Sequence, residues 1–342
     1  MSDTIHLIYN SDANYMFPTT VSAVSAALQV TQTQRLVVHL LDCGASDEQV
    51  RDMEKMIQMV NPFVCSERHR IDVSDYQKLE SWQGSFATYS RIFVPDILLD
   101  VDWAIYVDGD TLWLGDIGEL WKLRDDSISI LASVDPPTSM GTPNPQFEWY
   151  RERGLPIDEK QYFCAGLMLM NLRKMRSEGM TGQCRAFLEK YPAPYIVDQT
   201  VLNYVLYGKT RLLPRQWGVF SVWHKGIDLS CPACVHYAQD VPWARVKINR
   251  LLSDIVMLWF YFCSDVLGLN ELQKSVPLFG RFWRRAVFIF LKHNQWLLFH
   301  PYVKSRLRNT HGIPKTAIRN LRVRWQDELH EKRRYVRSGK MT

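Results

Sequence analysis

The sequence predicts an α/β fold, a sheet with parallel strands covered by helices, followed by a helical extension rich in basic and aromatic residues. Three observations predict it. Residues 5–45 read as strand, helix, strand, a βαβ unit whose two strands must run parallel. The apolar run Ala104-Ile105-Tyr106-Val107 has strand length and stops at Asp108-Gly109-Asp110, so a carboxylate pair stands where a strand meets a loop. From about residue 245 the chain turns aromatic, basic and helical in pattern. These set two regions, an α/β domain over 1–245 and an appendage over 246–342.

The elements follow in order. Ile5 to Tyr9 is a strand-length apolar run, Asn10 to Tyr15 a polar loop, and Thr19 to Val30 a helix rich in Ser, Ala and Val. Leu36 to Leu41 is the second strand. Ser46 to Met59 has helical spacing, with Asp47 and Glu48 in its first turn where acids suit the helix dipole. Ile71-Asp72-Val73 suggests a short strand, and residues 84–99 a helix ending near Pro95 with Arg91 on its face. Ser127 to Val134 reads as a strand ending at Asp135. Residues 136–161 hold five prolines and two glycines, the pattern of a long loop of the kind that serves as an active-site lid. Tyr162 to Leu172 is a continuous apolar strand, Thr181 to Glu189 a helix, and Asp198 is placed as the N-cap of the next helix. Cys234-Val235-His236-Tyr237 closes the domain as a short strand.

Bulk properties narrow the class. At 342 residues with 46% apolar and 23% charged content, the chain can bury a sizeable core. Seven cysteines at irregular spacing argue against a disulfide framework and for a reducing compartment. The first residues lack a secretory leader pattern, and the longest apolar stretch, Ile255 to Cys263, is too short to span a bilayer. A cytoplasmic protein, peripheral at most on a membrane, is expected. Residues from His300 onward carry twelve Lys and Arg against three acids, so the net +5 of the chain belongs to the tail and the remainder is acidic.

Two carboxylates held together at a strand end repel each other. A hard divalent cation removes the repulsion by taking oxygen ligands from both. In an open α/β sheet the C-terminal edge of the strands is also where ligands bind. The other such pair, Asp100-Val101-Asp102, precedes the strand and reads as a solvated turn.

Six separated motifs, in order and spacing, resemble glycosyltransferase family 8, above all the bacterial α-galactosyl- and glucosyltransferases of lipopolysaccharide and lipooligosaccharide. They are the loop Asn10 to Tyr15, Thr88-Tyr89-Ser90-Arg91, Tyr106 to Asp110, the strand Tyr162 to Leu172, Asp198-Gln199, and His236-Tyr237 through Pro242-Trp243. The resemblance covers about residues 5–245. It implies a GT-A fold, a Rossmann-like mixed sheet flanked by helices, and a retaining, metal-dependent transfer of a hexose from a UDP-sugar to a saccharide or glycolipid hydroxyl. By resemblance Asp108, Asp110 and His236 are the metal ligands, for Mn²⁺ or Mg²⁺. Asn10, Asp12, Asn14, Tyr15, Asp135 and Cys164 belong to the donor site, and Arg91, Asp198 and Gln199 to the catalytic set. An amide is a poor nucleophile, which gives Gln199 sugar binding and transition-state stabilisation rather than covalent catalysis.

The chain departs from that pattern twice. Cys164 stands where the family has asparagine, which removes an amide with donors and an acceptor. The closing segment lacks the family's glycine and the lysine that meets the diphosphate, and Lys225 and Arg245 are the nearest replacements. Rival readings are weaker. Cys231-Pro232-Ala233-Cys234 beside His224 and His236 could hold zinc, but a lone CxxC followed by a strand is a poor signature. The basic tail with Tyr302, Trp325 and Tyr335 could stack on nucleic-acid bases, yet no nucleic-acid module precedes it, so no nucleic-acid partner is expected. A donor-binding but inactive relative is the third alternative. The apolar clusters Val256 to Phe262 and Ala286 to Leu291, interleaved with Arg281, Arg284, Arg285, Lys292, Lys304, Arg306 and Arg308, suit helices lying on an anionic membrane surface. The competing expectation is that these aromatics complete the core.

Overall fold

The computed structural model describes residues 4–31, 34–136, 145–221, 232–238, 241–243, 254–269 and 315–337. Seven strands form the main sheet in the order β3-β2-β1-β4-β7-β6-β8. These are β1 (Thr4–Ser11), β2 (Arg35–Asp42), β3 (Cys65–Arg70), β4 (Trp103–Val107), β6 (Ile130–Val134), β7 (Phe163–Asn171) and β8 (Thr210–Leu212). β1 pairs in parallel with both β2 and β4, and β7 runs antiparallel between β4 and β6, so the sheet is mixed. A second sheet joins β5 (Thr111–Trp113), β10 (Cys234–His236) and β9 (Val219–Phe220) in the order β5-β10-β9. From β1 the chain winds outward to β2 and β3, then returns to lay β4 on the other side of β1. The C-terminal ends of β1 and β4 therefore flank a topological switch point, where α/β sheets bind ligands.

Helix α1 (Met16–Gln29) is buried on nearly every side. Its run of Ser22, Ala23, Ser25, Ala26 and Ala27 lets neighbouring backbones approach, and Ser25 Oγ accepts a hydrogen bond from the Trp113 backbone at 2.9 Å. Helix α2 (Asp47–Val60) starts with the reciprocal Ser46/Gln49 capping box and buries only Val50, Met53, Ile57 and Val60, one face of an amphipathic helix. β7 is buried along all nine residues, as its unbroken apolar run requires.

Four expectations are corrected. Ile71-Asp72-Val73 is not a strand; β3 lies just before it, at Cys65–Arg70, where polar residues on an edge strand hide the alternation. Residues 84–99 are not one helix but a 3-10 segment, Ala87–Phe93, leading into α3 (Val94–Ile97), and Pro95 stands in the first turn of α3, where its missing N–H costs nothing. The stretch 136–161 contains α5 (Pro145–Glu152), whose Phe147, Trp149 and Tyr150 face the core; residues 137–144 lie outside the described residues. Asp198 is not the N-cap: α8 (Val197–Val205) begins one residue earlier, after Ile196. The remaining helices are α4 (Ile117–Trp121), α6 (Leu172–Ser177) and α7 (Met180–Lys190).

Beyond residue 245, α9 (Asp254–Asp265) and α10 (Lys315–Arg337) are described. Trp259, Phe260, Phe262 and Trp325 are buried in the same apolar cluster as β1 and α1. Of the predicted surface clusters, the aromatics Trp259, Phe260 and Phe262 of the first thus complete the core, and Ala286 to Leu291 lie outside the described residues. No described helix is long and apolar enough to cross a membrane.

Candidate active site and metal centre

The site forms where β4 ends. Asp108 leaves the strand with its backbone N–H donating to the Gly166 carbonyl at 2.9 Å, and the chain turns through Gly109 into Asp110 and β5. Gly109 is required there: a Cβ would fall 2.2 Å from Thr19 Oγ1 on α1. β10 pairs antiparallel with β5 in a register that sets His236 opposite Thr111, which brings its ring to the carboxylates. His236 Nε2 lies 3.1 Å from Asp110 Oδ1 and 3.8 Å from Asp108 Oδ2. One ligand atom from each of the three residues lies within 4.8 Å of the others.

These donors fit a divalent ion. Asp110 Oδ1 is fully buried, with the His236 imidazole as its near neighbour at 3.1 Å. Burial favours the neutral form of Asp110, yet His236 beside it holds its carboxyl below the usual range. Burial likewise opposes charge on His236, but Asp110 raises its pKa well above the ordinary imidazole value. The field of the pair draws in positive charge, and two carboxylates with an imidazole suit Mn²⁺ or a similar ion. Space is kept open by Gly166, where a Cβ would come 2.3 Å from His236 Cε1 and 2.8 Å from Asp108 Oδ2.

A buried polar network holds Asp108. Arg91 Nη2 donates to Asp108 Oδ1 at 2.8 Å, and Nη1 donates to the Ala165 carbonyl at 2.9 Å. Arg91 Nε donates to the Thr88 carbonyl at 3.2 Å and lies 3.0 Å from Asp198 Oδ2. Thr88 Oγ1 donates to Asp198 Oδ1. The Tyr106 hydroxyl lies 2.6 Å from Asn10 Oδ1 and 3.1 Å from Asp108 Oδ1, joining the ends of β1 and β4. Burial pushes the Asp198 carboxyl up to about 6, against the opposing pull of Arg91 and Thr88.

Gln199 is tied at both ends: Oε1 accepts from the Ala165 backbone at 3.1 Å and Nε2 donates to Asp135 Oδ1 at 3.1 Å. Gln146 Nε2 donates to the other Asp135 oxygen at 3.3 Å. The helix bearing Asp198 and Gln199 starts on Val197 with φ +27°, a left-handed conformation that costs a β-branched residue about 1–3 kcal/mol. Cys164 is buried beside this group and accepts a hydrogen bond from the Gly166 backbone at 3.4 Å.

In the first loop, Asp12 Oδ1 accepts from the backbones of Asn14 and Tyr15 at 3.0 and 3.1 Å, an Asx turn, and Oδ2 accepts from Ser85 Oγ at 2.8 Å. Asn14 is exposed. Tyr15 stacks edge-on against Trp243, and burial, then Asp110 and Asp108, raise its phenol pKa. Asn10, Tyr15, Arg91, Asp108, Asp110, Asp135, Cys164, Asp198, Gln199 and His236 thus converge through shared hydrogen bonds, ion pairs and electrostatic contacts. Lys225 and Arg245 lie outside the described residues, as do Cys231 and His224 of the zinc alternative. Tyr106 received no role from the sequence, although it sits two residues before Asp108 on the same strand face. Gln146 gave no sequence signal at all.

Residues 6–246 match the family model described as Glycosyl transferase family 8. The chain belongs to that family. Among its relatives are general stress protein A of Bacillus subtilis, 26% identical over 63% of this chain and 73% of that one. The lipopolysaccharide 1,2-glucosyltransferase of Escherichia coli is 26% identical over 63% and 62%. The latter is thus matched over less than two thirds of its own length. Among solved structures, the galactosyltransferase LgtC in complex with donor and acceptor sugar analogs aligns with TM-score 0.56 at 19% identity, over 70% of this chain and 90% of that one. The bifunctional glycosyltransferase WbbM aligns with TM-score 0.60 at 19% identity, over 71% and 47%. The fold of this family 8 chain is the GT-A fold of those neighbours.

Proposed function

We propose that this family 8 protein is a retaining hexosyltransferase that moves galactose or glucose from a UDP-sugar to a hydroxyl of a glycan or glycolipid. The observation that carries the reading is the Asp108, Asp110 and His236 constellation at the switch point, backed by the Arg91 network and by Gln199. These three side chains would hold Mn²⁺, with Mg²⁺ the alternative. Bound there, such an ion supplies Lewis-acid stabilisation of the charge on a departing diphosphate.

The chain's own residues account for the rest. Arg91 fixes the carboxylate of Asp108 and shields it from Asp198, so it is a positioning residue. Gln199, with both ends of its amide tied, offers a dipole held in place before the sugar arrives, which is worth more than one that must reorient. Both carboxylates beside Gln199 are committed: Asp198 to Arg91 and Thr88, Asp135 to Gln199 and Gln146. That favours attack by the acceptor hydroxyl on the face the diphosphate leaves, over a covalent sugar–carboxylate intermediate. Asn10, Asp12, Asn14 and Tyr15 would receive the nucleoside, and Lys225 or Arg245 the diphosphate. The lipopolysaccharide enzyme among the relatives supports a glycolipid acceptor, and the basic tail supports residence on the inner face of the plasma membrane.

The test is donor hydrolysis and transfer with a panel of UDP-sugars, with and without Mn²⁺, on wild type and Asp110→Ala. Losing a stabilisation of about 4 kcal/mol would lower turnover roughly a thousandfold. Full activity of the variant, or of wild type in excess chelator, overturns the metal assignment, and inertness toward every UDP-sugar overturns the donor class.

A further inference from the structure

A second cluster of ligand-type side chains sits on the same sheet, away from the carboxylate centre. His6 on β1, His39 on β2, and Glu67 and His69 on β3 meet across three adjacent parallel strands. His39 Nδ1 lies 3.1 Å from His69 Nε2 and 3.3 Å from Glu67 Oε2, and the last two atoms are 4.0 Å apart. A point about 2.1 Å from all three atoms exists inside that triangle, the bond length of an imidazole- or carboxylate-bound zinc ion. We propose that His39, Glu67 and His69 form a binding site for a divalent first-row transition ion such as Zn²⁺, distinct from the Asp108, Asp110 and His236 centre.

The surroundings support a ligand role. His39 is 2% exposed, and its other nitrogen, Nε2, faces His6 Nδ1 at 2.9 Å. A proton on His39 Nε2 donated to His6 leaves the Nδ1 lone pair turned toward His69 and Glu67, the tautomer that a metal at Nδ1 requires. Burial, with His6 and His69 adding to it, pushes the His39 pKa down to about 3, so the ring is neutral and free to donate to a metal at neutral pH. Burial also lowers His69. The Glu67 side chain is 55% exposed, which leaves an entry path and room for water to complete a tetrahedral set.

The position explains a use. β3 is an edge strand, and none of its six residues is fully buried. A metal bridging His39 to Glu67 and His69 would clip this strand to β2 where apolar packing is lacking. His39 is level with Ile8 and, through it, with Tyr106, so two strand spacings, about 10 Å, separate the cluster from β4. The ion would be structural rather than part of the transfer chemistry.

Zinc titration against a chromophoric chelator tests this on the full-length chain carrying Asp110→Ala, which weakens the carboxylate centre. One tight Zn²⁺ should remain, and it should raise the melting temperature. Adding His69→Ala should weaken that binding at least about 100-fold, because loss of even an outer partner costs 10–100-fold. His6→Phe should cost about 10–100-fold by releasing the His39 tautomer. Should His69→Ala lower the metal-free melting temperature, the solvent-facing Glu67→Gln carries the same comparison. Absence of a tight site in the Asp110→Ala chain, or equal affinity after His69→Ala or Glu67→Gln, overturns the proposal and leaves the imidazoles as a hydrogen-bonded chain.

Discussion

Asp108 accepts a hydrogen bond from Arg91 at 2.8 Å, and the same guanidinium lies 3.0 Å from Asp198. One buried cation therefore holds together a carboxylate of the candidate metal centre and one at the start of the helix that carries Gln199. Removing one partner of a buried ion pair typically costs about 3–5 kcal/mol, because the remaining charge is stranded. Arg91→Met should lower stability by about that much at pH 8 and reduce turnover at least 100-fold. The pH dependence sharpens the test. Asp198 already titrates near 6, and without Arg91 its folded-state pKa rises further. A raised acid keeps its stability contribution below its unfolded pKa and loses it as pH rises through the folded value. The deficit of Arg91→Met should thus be largest above pH 6 and shrink toward pH 4, as followed by urea denaturation. A deficit that is flat with pH would separate Asp198 from the effect.

Gly166 has no side chain because His236 and Asp108 occupy the space a Cβ would fill. Gly166→Ala should push both side chains apart while leaving β7 paired. The expected result is at least a tenfold loss of Mn²⁺ affinity by calorimetry, with little change in the far-UV circular dichroism. Unchanged affinity would show that the centre relaxes around the methyl group.

The α/β class, β1, β2, β4 and β7 were legible because each is a run of apolar residues, and Asp108 and Asp110 because they end one of them. β3 was not, since an edge strand reading Cys-Ser-Glu-Arg-His-Arg buries no apolar face to betray it. The segment 84–99 misled for a different reason: 3-10 and α turns share their first signals, and Pro95 suits the start of a helix as well as the residue after one. Asp198 has the residue type of a cap, but its carboxylate is spent on Thr88 and Arg91, contacts 110 and 107 positions away that local spacing does not encode.

Cys164 lies buried on β7 beside Gln199 and Asp135, with Ser133 opposite it on β6 and Gly166 donating to its sulfur. Burial raises its thiol pKa, so it stays a neutral, weakly hydrogen-bonding group. Cys164→Asn would replace it with an amide of similar size that donates twice and accepts. Paired polar contacts discriminate between sugar epimers, so the ranking among UDP-hexoses should shift by about tenfold or more in kcat/KM. An unchanged ranking would make Cys164 a small hydrophobe of the core.

One job of the C-terminal region is packing. Trp325 on α10 is fully buried and meets Phe262 of α9 edge-on, with ring centroids 5.2 Å apart. Lys332 on the same helix donates to the Val30 carbonyl at the end of α1 at 2.7 Å. Truncating a buried tryptophan to alanine costs about 3–5 kcal/mol, so Trp325→Ala should lower the melting temperature of the whole domain. Deleting residues from 250 onward should unfold or aggregate the protein rather than leave a soluble core. Membrane attachment must therefore be tested by charge and not by truncation. Each basic residue near an anionic leaflet contributes about 1 kcal/mol. Wild type should pellet with phosphatidylserine-containing vesicles at low salt and be released as salt rises. Replacing Lys304, Arg306 and Arg308 together by glutamate should keep it in the supernatant with its melting temperature unchanged. Equal sedimentation of the two proteins would leave the region with packing as its role.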